Sequence, residues 1–314
     1  MVSFLHAIAS VVIILILTAV GYFCAAQRWM GPEVKAFLSR FLIRLAVPCM
    51  CVYSLRSNLT RAILDRSGPV LLVPFFTSAL LFLLSFGIGR LFAIPRRRLG
   101  VFMFMCSVSN AVFVGFPMCS ELFGEAATPY VMLYYLVNTS FTQIVGLSLV
   151  RWSGDKGARH SWREVLVRFI KTPPVIGVFI GFGLILLDVQ LPSFLMSCLR
   201  YINGTVTPLA LLLTGYIIHE IGLSHLRIDR DTGVMLLFRF LLSPALSVLL
   251  GGLLGVGGLA GNVLAVESAM PVVTQSVVAS AEYGADEQFA AQGAAISTLA
   301  CFIVIPVLML LLSL

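Results

Sequence analysis

Apolar stretches of about 20 residues, nearly free of charge, recur along the whole chain and constrain its fold more than any other feature. A helix needs about 20 such residues to cross a bilayer. Charged residues make up 11% of the chain, against about 25% in soluble domains, and apolar residues make up 59%. A water-soluble fold has no interior large enough for this much apolar surface. We therefore predict an all-α integral membrane protein.

Ten of these stretches are predicted to cross the membrane. The sixth is short and begins with Pro173 and Pro174, which a first helical turn tolerates because its N–H groups lack intrahelical partners. An even number of spans places both termini on one side. The approximate bounds are 4–24, 36–55, 69–89, 99–120, 127–150, 173–187, 203–219, 233–253, 263–282 and 289–312.

The uneven distribution of lysine and arginine between the connecting loops predicts the orientation of the chain. Fourteen lie in loops on one side, including Lys156 and Arg159 in a basic loop at 151–171, and four lie on the other side. Loops rich in Lys and Arg stay in the cytoplasm. We therefore expect a cytoplasmic 151–171 loop and outside termini, and we interpret the net charge of +7 as a topology signal rather than nucleic-acid binding. The four outer residues are Arg56, Arg61, Arg66 and Arg200.

The two halves of the chain, 1–150 and 172–314, correspond at an offset of 160 residues. Each half has five predicted spans, so the second half is inserted upside down relative to the first. Inverted repeats of this kind are typical of transporters, with the binding site at the midplane between the repeats. A duplicated structural bundle without a transport role is the alternative. The corresponding residues are Gly21 and Gly181, Arg40 and Arg200, Pro48 and Pro208, Ser120 and Ser280, and Gly124 and Gly284.

The fourth span of each half places a proline beside polar side chains near the middle of the membrane. These segments run from Ser109 to Pro117 and from Glu267 to Gln275, with Pro271 inside the second. Proline removes a backbone hydrogen bond and breaks the helix. Two broken helices that cross would expose N–H groups and positive helix ends, which favour an anion.

Several polar residues near these breaks are candidates for the site. Asn110 is predicted to donate to a substrate carboxylate, with interhelical packing as the alternative. Gln275 is predicted to donate to the carboxylate as well, and Thr274 is a weaker candidate for the same contact. Glu267 is an ion-coupling candidate because acids within a span are costly and usually functional, although an interfacial position is equally compatible with the sequence. For Asn138, cavity lining competes with ordinary helix packing. The same two alternatives apply to Thr142, Gln143, Gln292 and Thr298.

The remaining charged residues in or near spans have simpler interpretations. Arg40, Arg200 and Arg239 are predicted to lie at the membrane interfaces, where long basic side chains reach the headgroups. Arg44 lies one turn deeper and is a second candidate for attracting anions. We expect solvated positions near the cytoplasmic face for His219, Glu220 and His225, and we favour this interpretation over a metal site.

The motifs around both breaks resemble those of the auxin efflux carrier family. They are Asn110, Gly115 and Pro117 followed by Phe123-Gly124-Glu125, and Met270-Pro271 with Tyr283-Gly284-Ala285-Asp286. Thr207-Pro208-Leu209-Ala210-Leu211 resembles the seventh span of the family and Arg239-Phe240-Leu241-Leu242-Ser243-Pro244 its eighth. The resemblance covers nearly the whole chain, with one departure at Val112, where the family often has glycine.

The resemblance implies a fold similar to bile-acid and sodium/proton carriers, with Asn110, Gly115, Pro117 and Pro271 at the crossing. Spans 1, 2, 6 and 7 would form a scaffold that dimerises, and spans 3–5 and 8–10 a transport domain that slides against it. The resemblance also implies a bacterial protein of the cytoplasmic membrane that carries malate, malonate or an auxin-like aromatic acid. No cofactor is implied.

The function classes that compete with a secondary transporter have little support in the sequence. No His-Glu-x-x-His, Gly-x-Ser-x-Gly or Walker motif occurs, so we predict neither an intramembrane enzyme nor an ATP-driven pump. A channel usually needs a repeated selectivity ring, which one asymmetric chain does not suggest. A proton- or sodium-coupled carrier of another solute and a transporter-like sensor remain as alternatives. The expected partners are a small organic acid, lipid, a coupling proton or sodium ion, and a second copy of the chain.

Overall fold

The structure, a computed structural model, describes residues 4–58, 67–155, 162–222 and 226–313, and every regular element in these ranges is a helix. The predicted all-α class is confirmed at that level. Arg61, Arg66, Lys156 and Arg159, which contribute to the predicted orientation, lie outside the described residues, as does His225. The helices are α1 Phe4–Ala26, α2 Pro32–Asn58, α3 Ser67–Leu91, α4 Arg96–Ser107, α5 Ala111–Phe123, α6 Glu125–Ser153, α7 Trp162–Ile170, α8 Pro173–Leu186, α9 Ser193–Ile221, α10 Arg230–Leu253, α11 Gly258–Ser268, α12 Gln275–Tyr283 and α13 Glu287–Ser313.

Seven helices in the described part of the chain are long and apolar enough to cross a membrane, namely α1, α2, α3, α6, α9, α10 and α13. Helices form here because lipid offers no hydrogen-bond partners, so each backbone N–H and C=O must be satisfied within its own segment. Large apolar side chains cover their outer surfaces; Leu83 of α3 and Ile303 of α13 are 69% and 74% exposed. Outward-facing side chains of this kind suit contact with lipid, and the protein is an integral membrane protein.

The shorter helices account for the predicted spans that were expected to be short or broken. The predicted sixth span is α8, which begins at Pro173 as expected. The predicted fourth span divides into α4 and α5, and the predicted ninth divides into α11 and α12. The segment at 151–171, predicted as a loop, contains the helix α7, whose Leu166 and Ile170 are both 50% exposed.

Glycines allow two pairs of helices from opposite halves of the chain to pack closely. A Cβ built at Gly21 of α1 would overlap the carbonyl of Leu212 in α9, and one built at Gly215 would overlap the carbonyl of Thr18. Similarly, a Cβ at Gly177 of α8 would lie 2.8 Å from Cα of Pro48 in α2. Small residues at membrane helix contacts permit this close approach and the dispersion energy that comes with it.

The two interruptions between half-helices meet inside the protein. The backbone N–H of Asn110 donates to the carbonyl of Pro271 at 2.8 Å, and Ser109 and Val272 form an isolated antiparallel bridge. The extended backbone of each break therefore supplies partners to the other. This pairing satisfies polar groups that lipid would leave unbonded.

An ionic cluster around Arg98 connects the beginnings of three helices at one end of the molecule. Its guanidinium donates to Asp286 at 2.8 Å through Nε and to Asp229 and Asp231 at 2.8 and 2.9 Å through Nη1. Asp229 also caps α10 by accepting from the N–H of Thr232 at 2.8 Å. Burial raises the pKa of Asp229, but hydrogen bonds from Thr232 and Arg98 outweigh that effect and hold the pKa below its usual value.

We predict that Arg98→Gln lowers the melting temperature at neutral pH by several degrees. A carboxylate with a depressed pKa stabilises the fold fully above its unfolded pKa of about 4 and loses that contribution as the pH falls through the lower folded value. The difference between wild type and variant should therefore shrink below about pH 4. Fluorescence-monitored melting in detergent at several pH values measures this difference in melting temperature. Arg97→Gln is the control, because Arg97 is more exposed than Arg98. A difference that is constant with pH would contradict the assignment.

Candidate functional site

A cavity of about 140 Å³ lies where α5 and α12 begin, beside the paired interruptions. Its walls come from α2, from the junction of α4 and α5, from α6, and from the first residues of α8 and α12. The lining residues are Ile43, Val47, Ser109, Asn110, Ala111, Val112, Phe113, Tyr135, Asn138, Thr139, Thr142, Gln143, Thr172, Pro174, Val273, Thr274 and Gln275.

The structure brings four of the predicted substrate-binding residues together around this cavity: Asn110, Asn138, Thr274 and Gln275. The other predicted site residues lie elsewhere. Pro271 supplies the carbonyl that pairs with Asn110 but does not line the cavity, and Pro117 is buried within the first turns of α5. Gly115 faces Glu267, away from the cavity. Their contribution to the site is therefore through the shape of the backbone.

Asn110 connects the two interruptions at the cavity wall. Its side-chain oxygen accepts a hydrogen bond from the N–H of Phe113 at 3.3 Å, which caps α5. Its side-chain nitrogen donates to the hydroxyl of Thr274 at 3.3 Å, at the beginning of α12. One amide thus connects the beginnings of both half-helices, and its nitrogen carries a second N–H beside the one donated to Thr274.

Asn138 of α6 holds the unwound backbone at Ser109. Its oxygen accepts from the N–H of Ser109 at 3.2 Å, and its nitrogen donates to the carbonyl of the same residue at 2.9 Å. The Ser109 hydroxyl shares a further hydrogen bond of 2.9 Å with the hydroxyl of Tyr134. These contacts replace the helical hydrogen bonds that the interruption removes. Asn138 therefore positions the break as well as lining the cavity.

The electrostatic field in the cavity comes from helix ends, because none of its lining residues is charged. The first N–H groups of a helix have no intrahelical partners and carry a partial positive charge equivalent to about half an elementary charge. Both α5 and α12 begin at the cavity. Two positive helix ends therefore face a space whose walls carry amide and hydroxyl groups and several apolar side chains.

Four π-helical turns occur in the described residues near the crossing, the point where the interruption between α4 and α5 pairs with the one between α11 and α12. Those at Leu42–Ala46, Ala111–Gly115 and Thr142–Gly146 each contribute cavity-lining residues, and the one at Phe238–Leu242 contains Arg239. A π turn shifts the register of a helix by one residue and is frequent at functional sites. Three of these four irregular turns therefore lie at the cavity.

Arg239 is not an interfacial residue, and that sequence-based prediction was wrong. Its side chain is completely buried in α10, where it contacts the carboxyl ends of two half-helices. Nη1 donates to the carbonyl of Cys106 in α4 at 3.3 Å, and Nη2 donates to Ser243 Oγ at 3.0 Å and to the carbonyl of Ser268 in α11. The prediction failed because proximity to a helix terminus in sequence does not show which way a side chain points.

Glu267 is fully buried in the last turn of α11, so the interfacial alternative does not hold. Neither carboxyl oxygen has a hydrogen-bond partner among the described residues, although the thiol of Cys119 lies beside the group. A Cβ added at Gly115 would lie only 2.8 Å from the carboxyl carbon. Gly115 therefore provides the space that the Glu267 side chain occupies.

Other candidates from the sequence lie outside the cavity. Arg44 is exposed and lines a separate apolar groove on α2 and α8. In the last turn of α9, His219 packs edge-on against Tyr22, and Glu220 forms an ion pair with Lys35. Thr298 donates to the carbonyl of Ala294 in its own helix. Neither Thr298 nor Gln292 lines the cavity, whereas Thr142 and Gln143 do.

Sequence reasoning missed several residues that the structure places at the site. Ser109, Tyr135, Thr139 and Thr172 line the cavity, and Arg239 lies behind the crossing. A usable signal existed for Ser109, which precedes Asn110 in the break, and for Arg239, a charge inside an apolar span. Nothing in the spacing of Thr172 indicates that α8 would begin at the cavity.

These features define an integral membrane protein with a cavity lined by amide, hydroxyl and apolar groups, as membrane transporters have. The membrane transport protein family matches residues 6–309, and the chain belongs to this family, which confirms the resemblance to auxin efflux carriers. An uncharacterized transporter of Methanocaldococcus jannaschii is 25% identical over 300 residues, covering 94% of this chain and 95% of the relative. An uncharacterized transporter of Methanothermobacter thermautotrophicus is 23% identical over 308 residues, covering 96% and 97%. Both relatives are archaeal, so a bacterial malate- or malonate-type identity stays a prediction.

We predict that Gly115→Ala destabilises the protein by about 1–3 kcal/mol, the usual cost of overpacking a buried site. The added methyl group would displace the Glu267 carboxyl group. Thermal melting in detergent measures the effect, with Gly87→Ala as the control because a Cβ there meets open space. The double variant Gly115→Ala with Glu267→Asp, which has a shorter side chain, should recover much of the loss. A double variant as unstable as Gly115→Ala alone would show that Glu267 is not the group displaced.

Proposed function

We propose that this protein is a secondary transporter for a small organic anion that carries a carboxylate. The observation that carries the proposal is the convergence of two helix N-termini on one cavity that contains several amide groups. Such ends bind carboxylates through N–H groups and partial positive charge without a fixed cation. A site that holds an anion by partial charges can also release it, as a transporter must.

The lining of the cavity supports some of the expected substrates more than others. Malate, malonate and an auxin-like aromatic acid are the substrates that the family resemblance implies. The cavity offers amide and hydroxyl donors together with apolar surface from residues such as Val47, Val112 and Pro174. A second carboxylate would meet no Lys or Arg among the lining residues. This arrangement favours a single carboxylate on an apolar or aromatic body.

The helix packing supports an inverted repeat of two five-span halves. The repeat mates Gly21 and Gly181 both lie at close contacts: Gly21 of α1 contacts α9, and Gly181 of α8 contacts Leu55 of α2. In each case the first span of one half packs against the second span of the other. This exchange is what a two-fold axis in the membrane plane would produce. Ten spans then follow if α4 with α5, α8, and α11 with α12 each cross the membrane.

The same packing supports a division into a scaffold and a transport domain with an elevator-type movement. In the first group α1 packs against α9, and α2 packs against both α8 and α9; the second group contains α3–α6 and α10–α13. In this proposal the second group carries the crossing and slides against the first. The chain would form a dimer in the cytoplasmic membrane, with both termini outside.

Ion coupling is the alternative that a specific residue favours. Glu267 is buried without a hydrogen-bond partner among the described residues, and an ionised carboxylate in such a place is costly. We therefore propose that Glu267 holds a proton in this conformation and exchanges it during transport. A proton-coupled carrier of another solute would use the same group, and a sensor would bind its ligand without moving it.

We predict that Asn110→Ala weakens substrate affinity at least tenfold. A hydrogen bond to a charged group contributes about 1.5–3 kcal/mol, and about 1.4 kcal/mol corresponds to a factor of ten. The test is a thermal-shift screen of organic acids on purified protein, followed by uptake into proteoliposomes with saturation kinetics. Asn262→Ala in α11, whose side chain does not line the cavity, is the matched control.

Each outcome of these measurements bears on the proposal. Saturable flux that Asn110→Ala impairs and Asn262→Ala does not is the expected result. Binding without flux would support the sensor alternative. Unchanged apparent affinity in Asn110→Ala would place the anion elsewhere, with Arg44 as the next candidate.

We predict that Glu267→Gln abolishes the pH dependence of flux while substrate binding survives. Glutamine has the same shape as protonated glutamic acid but cannot exchange a proton. Uptake measured in proteoliposomes across a range of pH, with and without an imposed proton gradient, tests this. Glu282→Gln, which removes an exposed carboxylate from α12, is the control. Retention of the wild-type pH profile in Glu267→Gln would exclude Glu267 as the coupling group.

A further inference from the structure

The carboxyl ends of two half-helices, α4 and α11, meet behind the crossing, on a completely buried arginine. Arg239 donates to the carbonyl of Cys106 in α4 at 3.3 Å and to the carbonyl of Ser268 in α11. Ser243 completes the cluster by accepting from Arg239 at 3.0 Å and donating to the carbonyl of Ser268 at 2.8 Å. None of these groups lines the cavity.

Two helix carboxyl ends that meet inside a membrane bring partial negative charges together, and a positive charge between them is stabilising. The last carbonyl groups of a helix have no intrahelical partners and carry about half a negative elementary charge. In the membrane interior neither water nor lipid neutralises that charge. Carbonyl and hydroxyl oxygens are the ligands that a hard cation prefers, and half-helix carboxyl ends bind coupling cations in other membrane carriers.

We propose that Arg239 is the built-in cation of this crossing, occupying the place that a mobile sodium ion would otherwise fill. It acts as a positioning residue, because it holds the two carboxyl ends together while the opposite ends face the cavity. The crossing then assembles without any added metal cation, and substrate binding is independent of sodium. The inference rests on the proposed function only in taking the crossing as the transport site.

The shape of the guanidinium suits this task better than that of an ammonium group. Its planar fork presents several N–H donors at fixed angles, and the side chain stays charged when buried. Arg239 uses Nη1 for one helix end and Nη2 for the other, so it bridges α4 and α11. Lysine would supply the charge but would not span both carbonyl groups with the same geometry.

The experiment measures melting temperature in mild detergent for wild type, Arg239→Ala and Arg239→Lys. Each protein is measured in sodium chloride, in N-methylglucamine chloride, and in N-methylglucamine chloride with low-millimolar guanidinium, at equal ionic strength. Because melting needs no substrate, the result is independent of whether the proposed function is correct. Arg200→Ala is the matched control, since Arg200 is an exposed arginine that contacts the ring of Tyr201.

We expect wild type and Arg200→Ala to melt at the same temperature in sodium and in N-methylglucamine. Arg239→Ala should melt several degrees lower and regain part of the loss with guanidinium or sodium, which can enter the vacated space. Arg239→Lys should lie between them and gain less from either cation. The affinity for the organic acid that gives the largest thermal shift with wild type should become dependent on sodium or guanidinium in Arg239→Ala and stay independent of both in wild type.

Two results would overturn the proposal. The first is a wild-type protein that sodium stabilises specifically, because a mobile cation would then be needed despite Arg239. The second is an Arg239→Ala protein that is destabilised to the same extent in all three salts, because Arg239 would then act by packing alone. If Arg239→Ala does not yield folded protein, Arg239→Gln, which keeps hydrogen-bond donors but removes the charge, is measured in the same way with the same criteria.

Discussion

The hydrogen-bond pairing of two interrupted helices is the interaction on which the rest of the structure depends. Lipid supplies no partners for free backbone groups, so each break at the crossing must be satisfied by protein. The carbonyl of Pro271 accepts from Asn110 N–H, and Asn138 binds both backbone groups of Ser109. Each of these contacts also shapes the cavity wall. The cost of breaking two helices is thereby offset by the same residues that form the site.

At the crossing the positive helix ends lie on one side and the negative helix ends on the other. The two sides differ in the charge of the side chains around them. The positive ends of α5 and α12 open onto a cavity that no charged side chain lines. The negative ends of α4 and α11 are closed by Arg239, which is fully buried. The helix ends that no charged side chain accompanies are therefore the ones that face the cavity. This asymmetry favours anions over cations in the cavity.

The class of fold and the approximate position of the site could be predicted from the sequence, because both depend on local patterns. Apolar length indicated membrane helices, and proline beside polar residues indicated the breaks that the structure places in contact. Three predicted residues at the breaks, Asn110, Thr274 and Gln275, line the cavity, and this required only that the breaks meet. Arg239, Thr172 and the role of Gly115 depend on which side chains meet across helices distant in sequence. One-dimensional spacing does not encode those contacts, and the interfacial prediction for Arg239 failed for that reason.

Glu267 and Arg239 are both completely buried, and the last turn of α11 connects them. Glu267 immediately precedes Ser268, whose carbonyl binds the Arg239 guanidinium. With an ionised Glu267 the buried charges of the pair cancel, and the crossing carries only its helix-end charges. With a protonated Glu267 the four helix-end charges sum to about zero, so Arg239 leaves the crossing with a net positive charge in a medium of low dielectric constant, where charges interact strongly. An anion entering the cavity then restores neutrality. Proton binding and anion binding would therefore favour each other through the charge balance of the crossing, without requiring direct contact between Glu267 and the substrate.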